Sequence, residues 1–592
     1  MATAVVLSPK VQVAGSPLAA VWQRALLELR VERALNVPAR ATLRFVDPGY
    51  GLLESKAVAI GTPVEIADPG GSTALLAGVV TGIGCEQREG EQPETVVVVH
   101  DASYQLGLTS CVKTRTQVTV ATVVSTLCNP AKLGVTTGAS ASSATLPYLL
   151  QVDTNLGMIG ELALRTGADW WVTGTTLYFG TPAELSSART TVSLTLGDGL
   201  RSFSGRAVAA PASVTVTGWN VDQQETVTSQ STSATTGILP TSTLEGLVTS
   251  AGTFVTAAVA ARSATEARAI SQSLFDLRAG AAVEATGVAD GDGTLRPGGF
   301  VTVAGAGPLS GTYPLSAVEH VYRPRRGFVT RFRSGDRRPD GIVAGTSRQA
   351  SPGFGGSSIV GHDGVTSGIV TNVNDPTTRG RVKVRFPGMS QTQESSWARI
   401  VAVGGGASRG NVFIPEVNDE VLVAFEDGDT RTPVVLGGLY GSRSGIPAPT
   451  VKTGKVQKRE LVSRLGHVIR FLDGTSTATK AIELQLADGQ LVHFGSDKTT
   501  VTVKSGKELS ITVGSTAITV AQSTGAVTIK AATIQLQATT QLKLTAPTVS
   551  VNANTALTLK GAAVSVTGSG AVQVKASAAV GITGMPVSIN GG

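Results

Sequence analysis

Three carboxylates lie close together in the second half of the chain, at Glu426, Asp427 and Asp429. Paired carboxylates can act as general acid and general base when their surroundings separate their pKa values. These three flank Gly428, and an Asp-Gly step favours a tight turn because glycine adopts positive φ without strain. We therefore interpret them as the solvated tip of a hairpin rather than as an acid–base pair.

Two further pairs of neighbouring residues could belong to a catalytic or a carbohydrate-binding site. A relay at His362-Asp363 would need a nucleophile, and the chain offers no Gly-x-Ser-x-Gly elbow between a strand and a helix. Trp170-Trp171 would suit a carbohydrate platform, but neighbouring residues of a strand face opposite ways. We therefore expect a linker histidine at 362 and one core tryptophan at 170–171, and we predict no catalytic residue.

A short basic strip, Arg381, Lys383 and Arg385, alternates with apolar residues as a strand does. It could bind single-stranded nucleic acid if exposed aromatic residues lay beside it, but none is expected there. The other basic residues of this chain, whose net charge is +7, are spread along its length. We interpret the strip as a solvated or intersubunit face and expect no nucleic-acid partner.

The composition favours a soluble, β-rich protein. Only 15% of the 592 residues are charged, yet no apolar run approaches the roughly 20 residues of a membrane-spanning helix. Residues 1–15 lack the features of a secretory signal, so we expect synthesis in the cytoplasm without an export signal. The 3 cysteines have no metal-ligand spacing, and we expect reduced thiols, no metal and no cofactor.

The chain divides by composition and periodicity. Residues 1–345 form a mixed α+β region with helices near 120–127, 155–166 and 263–278, and a Gly/Ser/Pro-rich linker follows at 346–360. A compact β domain is expected at 361–445, a neck at 446–495 and a repeat at 496–592.

The repeat consists of an apolar–x–apolar unit that recurs in steps of 7–10 residues. Rungs this short cannot enclose a core in one chain, whereas three chains wound about one axis can each supply one wall of a prism. Each buried aliphatic residue would then contribute roughly 1.5–3 kcal/mol as an upper estimate. The predicted core residues around this axis are Val501, Val503, Ile511, Val513, Ile534, Leu536, Leu542, Leu544, Leu557 and Leu559.

The β domain carries a recognisable pattern. Segments 368–376, 380–387, 397–399, 413–429 and 431–440 resemble, in order, the oligosaccharide-binding (OB) barrel of VgrG and phage baseplate-V proteins. The motif positions are Asp375, Pro376, Gly380, Arg381, Trp397, Pro415, Glu420 and Gly428. We expect five strands, with turns at Asp375-Pro376, Asn418-Asp419 and Asp427-Gly428.

The N-terminal region is similar to the hub of phage late-control D proteins and VgrG, in segments such as 149–151, 162–167 and 170–171. Residues 463–473 resemble the neck that leads into a spike. The resemblance implies a mainly β protein: an α+β hub of two similar barrels, an OB-fold barrel and a C-terminal intertwined trimeric β-helix, or β-prism.

The resemblance also implies a function and partners. The chain would be the spike and symmetry-adapting hub of a contractile injection system, a homotrimer that contacts the inner tube, baseplate proteins, effector cargo and, transiently, a target membrane. A PAAR-type tip protein would dock at Val587, Ile589 and Asn590.

The strongest alternative is a polysaccharide-degrading β-helical tailspike enzyme. Its groove would need paired carboxylates, and no Asp or Glu follows Glu508. A trimeric adhesin would need an export signal. We therefore expect no enzymatic activity, while the class of machine, a phage tail, a type VI system or a related particle, stays open.

Overall fold

The computed structural model describes residues 8–257, 260–335, 337, 364–447, 450–476 and 479–588. Residues up to Ile446 and residues from Pro447 onward form two compact units, here unit 1 and unit 2. Both are built mainly from strands. The predicted linker 346–360 and His362-Asp363 lie outside the described residues. Within the described part of the chain, no helix is long and apolar enough to span a bilayer.

The α-helices of the described residues lie in unit 1: α1 (Ala20–Ala25), α2 (Gly51–Glu54), α3 (Tyr104–Leu108), α4 (Val120–Cys128), α5 (Ala139–Ser143), α6 (Asn155–Thr166) and α7 (Ala264–Gly280). The helices α4, α6 and α7 are the three that the sequence predicts. Each begins after a hydroxyl side chain, Thr119, Thr154 or Ser263, that accepts a hydrogen bond from the backbone N–H three residues later.

The first part of unit 1, up to residue 337, is called the hub below. Its strands are β1 (Lys10–Val13), β2 (Ser16–Pro17), β3 (Leu26–Ala34), β4 (Arg40–Val46), β5 (Pro63–Ala67), β6 (Ala74–Glu86), β7 (Glu94–Asp101), β8 (Lys113–Thr119), β9 (Gly134–Thr137), β10 (Thr145–Gln151), β11 (Asp169–Thr173), β12 (Thr176–Gly180), β13 (Thr191–Leu196), β14 (Gly199–Ala207), β15 (Ser213–Asn220), β16 (Glu225–Ser231), β17 (Thr241–Ser242), β18 (Thr253–Thr256), β19 (Val283–Asp290), β20 (Phe300–Ala304), β21 (Gly311–Pro314), β22 (Ala317–Arg323) and β23 (Gly327–Ser334).

Fifteen of these strands form one sheet, in the order β17-β21-β20-β13-β14-β19-β23-β22-β3-β4-β7-β6-β5-β1-β2. The antiparallel pairing of β22 with β3 joins two halves, each made of strands that are near one another in sequence. Phe45 lies in the apolar core of the first half, and Tyr313 lies in that of the second. Where the resemblance implies two barrels, the structure has one continuous sheet with two halves.

Strand β6 passes close to β7 at a glycine. A Cβ atom added to Gly78 would lie 2.0 Å from the carbonyl oxygen of His100, whereas one added to Gly84 in the same strand would meet nothing within 4 Å. The pairing of β6 with β7 therefore requires glycine at position 78.

An inserted α+β segment, β8–β12 with α3–α6, has its own core. Trp170 is buried in it beside α4 and α6. Trp171 is buried on the opposite face of β11 against Leu35 and Leu185, and its ring stacks on Tyr178 at 5.5 Å. Both tryptophans are therefore core residues, one more than expected, because the strand is covered on both faces.

The second part of unit 1 is the predicted OB barrel. Its strands are β24 (Val365–Asn372), β25 (Lys383–Arg385), β26 (Arg399–Ile400), β27 (Glu420–Phe425) and β28 (Pro433–Gly438). They form one sheet in the order β25-β24-β27-β28-β26, around a core that includes Val384 and Val423. Val382 and Ala398 exchange backbone hydrogen bonds of 3.0 and 2.7 Å, which links the two edges of the sheet and closes it. The five expected strands are confirmed.

Unit 2 consists of antiparallel strands: β29 (Val451–Lys452), β30 (Lys455–Val456), β31 (Lys458–Val462), β32 (Val468–Asp473), β33 (Lys480–Gln485), β34 (Leu491–Gly495), β35 (Thr499–Thr502), β36 (Glu508–Val513), β37 (Thr516–Ala521) and β38 (Ala526–Lys530). Consecutive strands pair to give a two-stranded sheet (β29–β30), a five-stranded sheet (β31–β35) and a three-stranded sheet (β36–β38). Residues 531–588 of the described chain contain no strand.

The start of the predicted repeat therefore differs from the expected winding. Val501 belongs to β35, where it pairs with Val492 of the preceding sheet, and β36–β38 fold back on one another. Alternating apolar residues fit both arrangements, because each needs only one apolar face per strand.

Candidate functional site

Asp375 organises the loop between β24 and β25. Its carboxylate accepts hydrogen bonds from Arg381 Nε at 3.1 Å and Nη2 at 2.9 Å, and from the backbone N–H groups of Thr377 and Arg379. The hydrogen bonds from Arg381 hold the pKa of Asp375 well below its usual range. Arg379 in turn pairs with Asp222 of the hub at 2.7 Å. This loop is therefore fixed by charge and anchored to the hub.

The other motif residues have structural positions of their own. Pro376 and Gly380, whose φ is 72°, lie in the same loop as Asp375 and Arg381. The remaining ones are spread around the barrel: the half-buried Trp397 with Lys383 Nζ 5.5 Å from its ring centroid, Pro415 before β27, Glu420 at the start of β27, and the buried Gly428 in the β27–β28 turn. The structure thus brings four motif residues together and leaves four apart.

The basic strip is paired within its own chain. Arg381 binds Asp375, Lys383 Nζ lies 3.4 Å from Glu394 Oε2, and Arg385 Nη1 donates to Gln391 Oε1 at 2.8 Å. The carboxylates of Asp375 and Glu394 offset two of the three positive charges, while the neutral Gln391 only occupies a donor of Arg385.

A buried group of charged side chains, here the Arg431 network, joins the barrel to helices α6 and α7. Arg431 lies 2.7 Å from Asp429 and 3.0 Å from Glu266, while Arg165 reaches the same Glu266 oxygen at 2.7 Å. Arg262 contacts Asp429 at 3.4 Å. Burial alone raises the pKa of Asp429, but the guanidinium of Arg431 outweighs it and lowers that pKa to about 2. Both carboxylates of this network are therefore held ionised.

The solvated-turn prediction is wrong for Asp429, whose side chain is only 3% exposed, and it describes Asp427, which is 61% exposed. Sequence inspection missed the network because Glu266 and Arg165 are remote from the turn in sequence. Glu266 and Asp429, neutralised by arginines in this way, suit adhesion between hub and barrel better than proton transfer.

Two strands of the inserted segment make a second contact between hub and barrel. The backbone N–H and the hydroxyl of Thr114 in β8 donate to Gln393 Oε1 at 2.8 and 2.6 Å. The hydroxyl of Tyr148 in β10 donates to the carbonyl of Glu394 at 3.0 Å. The polar contacts between barrel and hub thus include these hydrogen bonds, the Arg431 network and the exposed Arg379–Asp222 pair.

The barrel loop 401–417 is an exposed apolar surface. Val403 and Val412 are each 79% exposed and Phe413 is 65% exposed. Clusters of large apolar side chains in water mark interaction sites more often than free surfaces.

The five-stranded sheet of unit 2 has faces of opposite character. Cross-strand register places Leu461, Ile469 and Leu484 in one row, and Phe471, Ile482 and Phe494 in the row beside it. All six side chains are exposed. We call this side the apolar neck face.

The opposite face of the same sheet carries a ladder of charges. Arg470 lies 2.9 Å from Glu460 and 3.1 Å from Glu483, and His493 Nδ1 lies 3.0 Å from the other oxygen of Glu483. The charges of this face pair with one another within one chain, whereas the side chains of the apolar neck face are exposed to solvent.

The three-stranded sheet β36–β38 repeats this division. Ile518 pairs with Ile511 on one side and with Ile529 on the other, while Thr519 pairs with Ser510 and Thr528. Because side chains alternate along a strand, the isoleucines share one face and the hydroxyl residues share the other. All three isoleucines are exposed.

The predicted core residues are likewise uncovered in the single chain. Val503 is half-buried, and the others, Val501, Ile511, Val513, Ile534, Leu536, Leu542, Leu544, Leu557 and Leu559, are each more than half exposed. Of the predicted tip residues, Val587 is exposed, and Ile589 and Asn590 lie outside the described residues.

Cys85 and Cys111 are exposed thiols and Cys128 is a buried one. Across the residues that the structure describes, no group of three or more His, Cys, Asp or Glu side chains is placed to hold a metal ion.

Comparisons with known proteins agree with this architecture. The type VI secretion system/phage-baseplate injector OB domain family matches residues 366–440. The type VI secretion system spike protein VgrG5 of Pseudomonas aeruginosa is 41% identical over 87 residues, which are 14% of this chain and 11% of that protein. VgrG3 of Vibrio cholerae is 36% identical over 87 residues, 14% of this chain and 9% of that protein. The chain thus covers about a tenth of the length of these curated relatives.

The fold of the chain also resembles a solved structure. A chain of the half-lidded Francisella PdpA–VgrG complex superimposes with a TM-score of 0.51 at 10% identity, covering 85% of this chain and 89% of that one. Residues 366–440 therefore form an injector OB domain, and in that sequence and in its fold the chain resembles VgrG-like spike and hub proteins.

Proposed function

We propose that three copies of this chain form the central spike and symmetry-adapting hub of a contractile injection system. The hub would cap the inner tube, and the spike would pierce the target envelope when the sheath contracts. This role is mechanical and requires no catalytic group.

The observation that carries the proposal is the division of unit 2 into polar and apolar faces. The apolar neck face and the isoleucine face of β36–β38 are exposed in one chain, although both are continuous over several strands. Covering them with the same faces of two further copies would remove this apolar surface from water. Each Å² of buried apolar surface would stabilise the assembly by about 25 cal/mol.

The same reasoning extends along residues 531–588, whose apolar pairs continue in steps of 7 or 8 residues. Without strand partners in their own chain, these pairs would form an intertwined β-prism with the other two copies. The proposed domains are the hub at 1–345, the linker at 346–360, the OB domain at 361–445, the neck at 446–495 and the spike at 496–592.

The proposed partners follow from position in such a machine. Three hubs, each with a two-part sheet, would present six similar elements to a hexameric inner tube. The exposed barrel loop 401–417 would contact a neighbouring copy or baseplate protein. A PAAR-type tip, with or without effector cargo, would dock at Val587, Ile589 and Asn590.

The test is the mass of the purified full-length protein by light scattering, compared with a chain that ends before Val451. We expect a trimer of three 60.3 kDa chains for the full-length protein, and weaker association for the truncated one. A full-length monomer would overturn the trimeric spike.

A further inference from the structure

Beyond Glu508, the proposed spike carries charge of one sign. Residues 509–592 contain four lysines, Lys530, Lys543, Lys560 and Lys575, and no Asp, Glu or Arg. All four lysines are exposed in the structure. Residues 509–592, here called the needle, are therefore uniformly cationic, whereas residues 496–508 and unit 1 contain charges of both signs.

The lysines all fall on the same side of the repeat. Lys530 follows Ile529 in β38, and Lys560 follows Leu559 in the same way. Lys543 lies between Leu542 and Leu544, and Lys575 follows Val574. In an extended chain, alternation places each of them opposite the neighbouring aliphatic residues. Burying the apolar pairs therefore leaves every ammonium group facing out.

Their spacing follows the repeat. Successive lysines are separated by 13, 17 and 15 residues, about two steps of the apolar repeat. A trimer would thus display rings of three positive charges at regular intervals along the needle, on a background of uncharged Thr, Ser, Gln and Ala.

We propose that this lysine face is an electrostatic docking surface for the anionic phospholipid headgroups of the target bilayer. The inference rests on the proposed function, which supplies three parallel copies of the face. Lysines near an anionic leaflet are attracted to its negative surface potential without any specific geometry. The attraction would align the needle with the bilayer before force is applied.

The chemistry favours lipid over nucleic acid. No aromatic residue follows Phe494, so the needle has no ring on which a base could stack. No arginine follows Arg470, so it also lacks the planar fork that binds phosphate groups bidentately. Mobile, separated ammonium groups suit a diffuse layer of headgroups.

The experiment is co-sedimentation of the full-length protein with vesicles of phosphatidylcholine alone, or with about 30% phosphatidylglycerol. We expect binding only to the anionic vesicles, and its loss in about 0.5 M salt. The variant K530Q/K543Q/K560Q/K575Q should bind them at least tenfold more weakly, since one lysine near such a surface contributes on the order of fivefold. A matched control, K56Q/K113Q/K452Q/K455Q, removes the same charge at exposed positions elsewhere and should bind as the parent does.

The mass of each variant by light scattering separates the two proposals. If the trimer does not bind anionic vesicles, or if it binds them equally well with the four needle substitutions, the lipid-docking surface alone is overturned. Tighter, lysine-dependent binding to single-stranded DNA than to vesicles would also overturn it. A monomer that binds through the four lysines would support the surface and overturn the trimeric spike; a monomer that does not bind would overturn both.

Discussion

The guanidinium of Arg431, in the OB barrel, lies 3.0 Å from the carboxylate of Glu266, the third residue of α7 in the hub. Glu266 also accepts a hydrogen bond from the backbone N–H of Arg262 at 3.0 Å, which closes the start of the helix. The first turn of α7 and the barrel thus share one carboxylate. Displacing the barrel would remove one of the two arginines that compensate this carboxylate and leave only Arg165 beside it.

Replacing Arg431 by Met should destabilise unit 1 by about 1.5–3 kcal/mol, because Glu266 and Asp429 stay buried and each keeps only its second arginine, Arg165 or Arg262. Tryptophan fluorescence in urea reports on this unit alone, since all 5 tryptophans precede Ile446. Arg88→Met is the control: its ion pairs are exposed, and it should change stability by less than about 0.5 kcal/mol. Equal effects of the two substitutions would contradict a buried network.

As the pH is lowered, unit 1 should begin to lose stability at pH values well above the pKa range of its carboxylates. Burial beside Arg33 and Arg296 lowers the pKa of His320 to about 3, and burial lowers that of His100 to about 4. When folding depresses the pKa of a group, the group makes its full contribution to stability at pH values above its pKa in the unfolded state, about 6.5 for histidine. That contribution is lost as the pH falls below this value, because the unfolded chain then binds a proton that the folded one does not. The urea midpoint should therefore drop between about pH 6.5 and 4.5.

His320→Asn should remove roughly half of that pH dependence, since each such histidine contributes up to about 1.4 kcal/mol per pH unit. Midpoints measured by tryptophan fluorescence at several pH values give the slope. His467 is exposed and lies in unit 2, so His467→Asn should leave it unchanged. A slope that is the same for all three proteins would assign the acid sensitivity to other groups.

Ile518→Asp should dissociate the trimer that we propose, because it places a charge at the centre of the isoleucine face of β37. Thr519→Asp adds the same charge to the opposite face of the same strand and should leave the mass unchanged. Light scattering of both variants at equal concentration makes the comparison. If the two behave alike, the isoleucine face is not an association surface.

Gly78→Ala should destabilise unit 1 by at least about 1–3 kcal/mol, since its Cβ would overlap the carbonyl oxygen of His100 and force β6 away from β7. Gly84→Ala, in the same strand but with open space around it, should be nearly neutral. Tryptophan fluorescence in urea again measures the difference. A neutral Gly78→Ala variant would mean that the strands separate there without cost.

Local patterns predicted much of this structure. Helix α6 occupies residues 155–166 as predicted, and the OB barrel has its five strands because turn residues separate them. Asp429 could not be placed from sequence, because a solvated turn and a buried ion pair share the same local sequence and differ only in remote partners. For the same reason the sequence predicted one core tryptophan at 170–171 where there are two: the cover of Trp171, Leu35 and Leu185, comes from other elements. The antiparallel start of the repeat escaped prediction because apolar alternation defines a face but not the strand's neighbours.

The uncovered isoleucine face of β36–β38 also bears on how the protein is made. In the trimer that we propose, a newly synthesised chain would expose this face and two unpaired strand edges until it associates with two further copies, and such surfaces promote aggregation. The hazardous interval is shorter when chains emerge close together, as they do from ribosomes that translate one message. Soluble yield should therefore depend on the local density of nascent chains as well as on the stability of the finished fold.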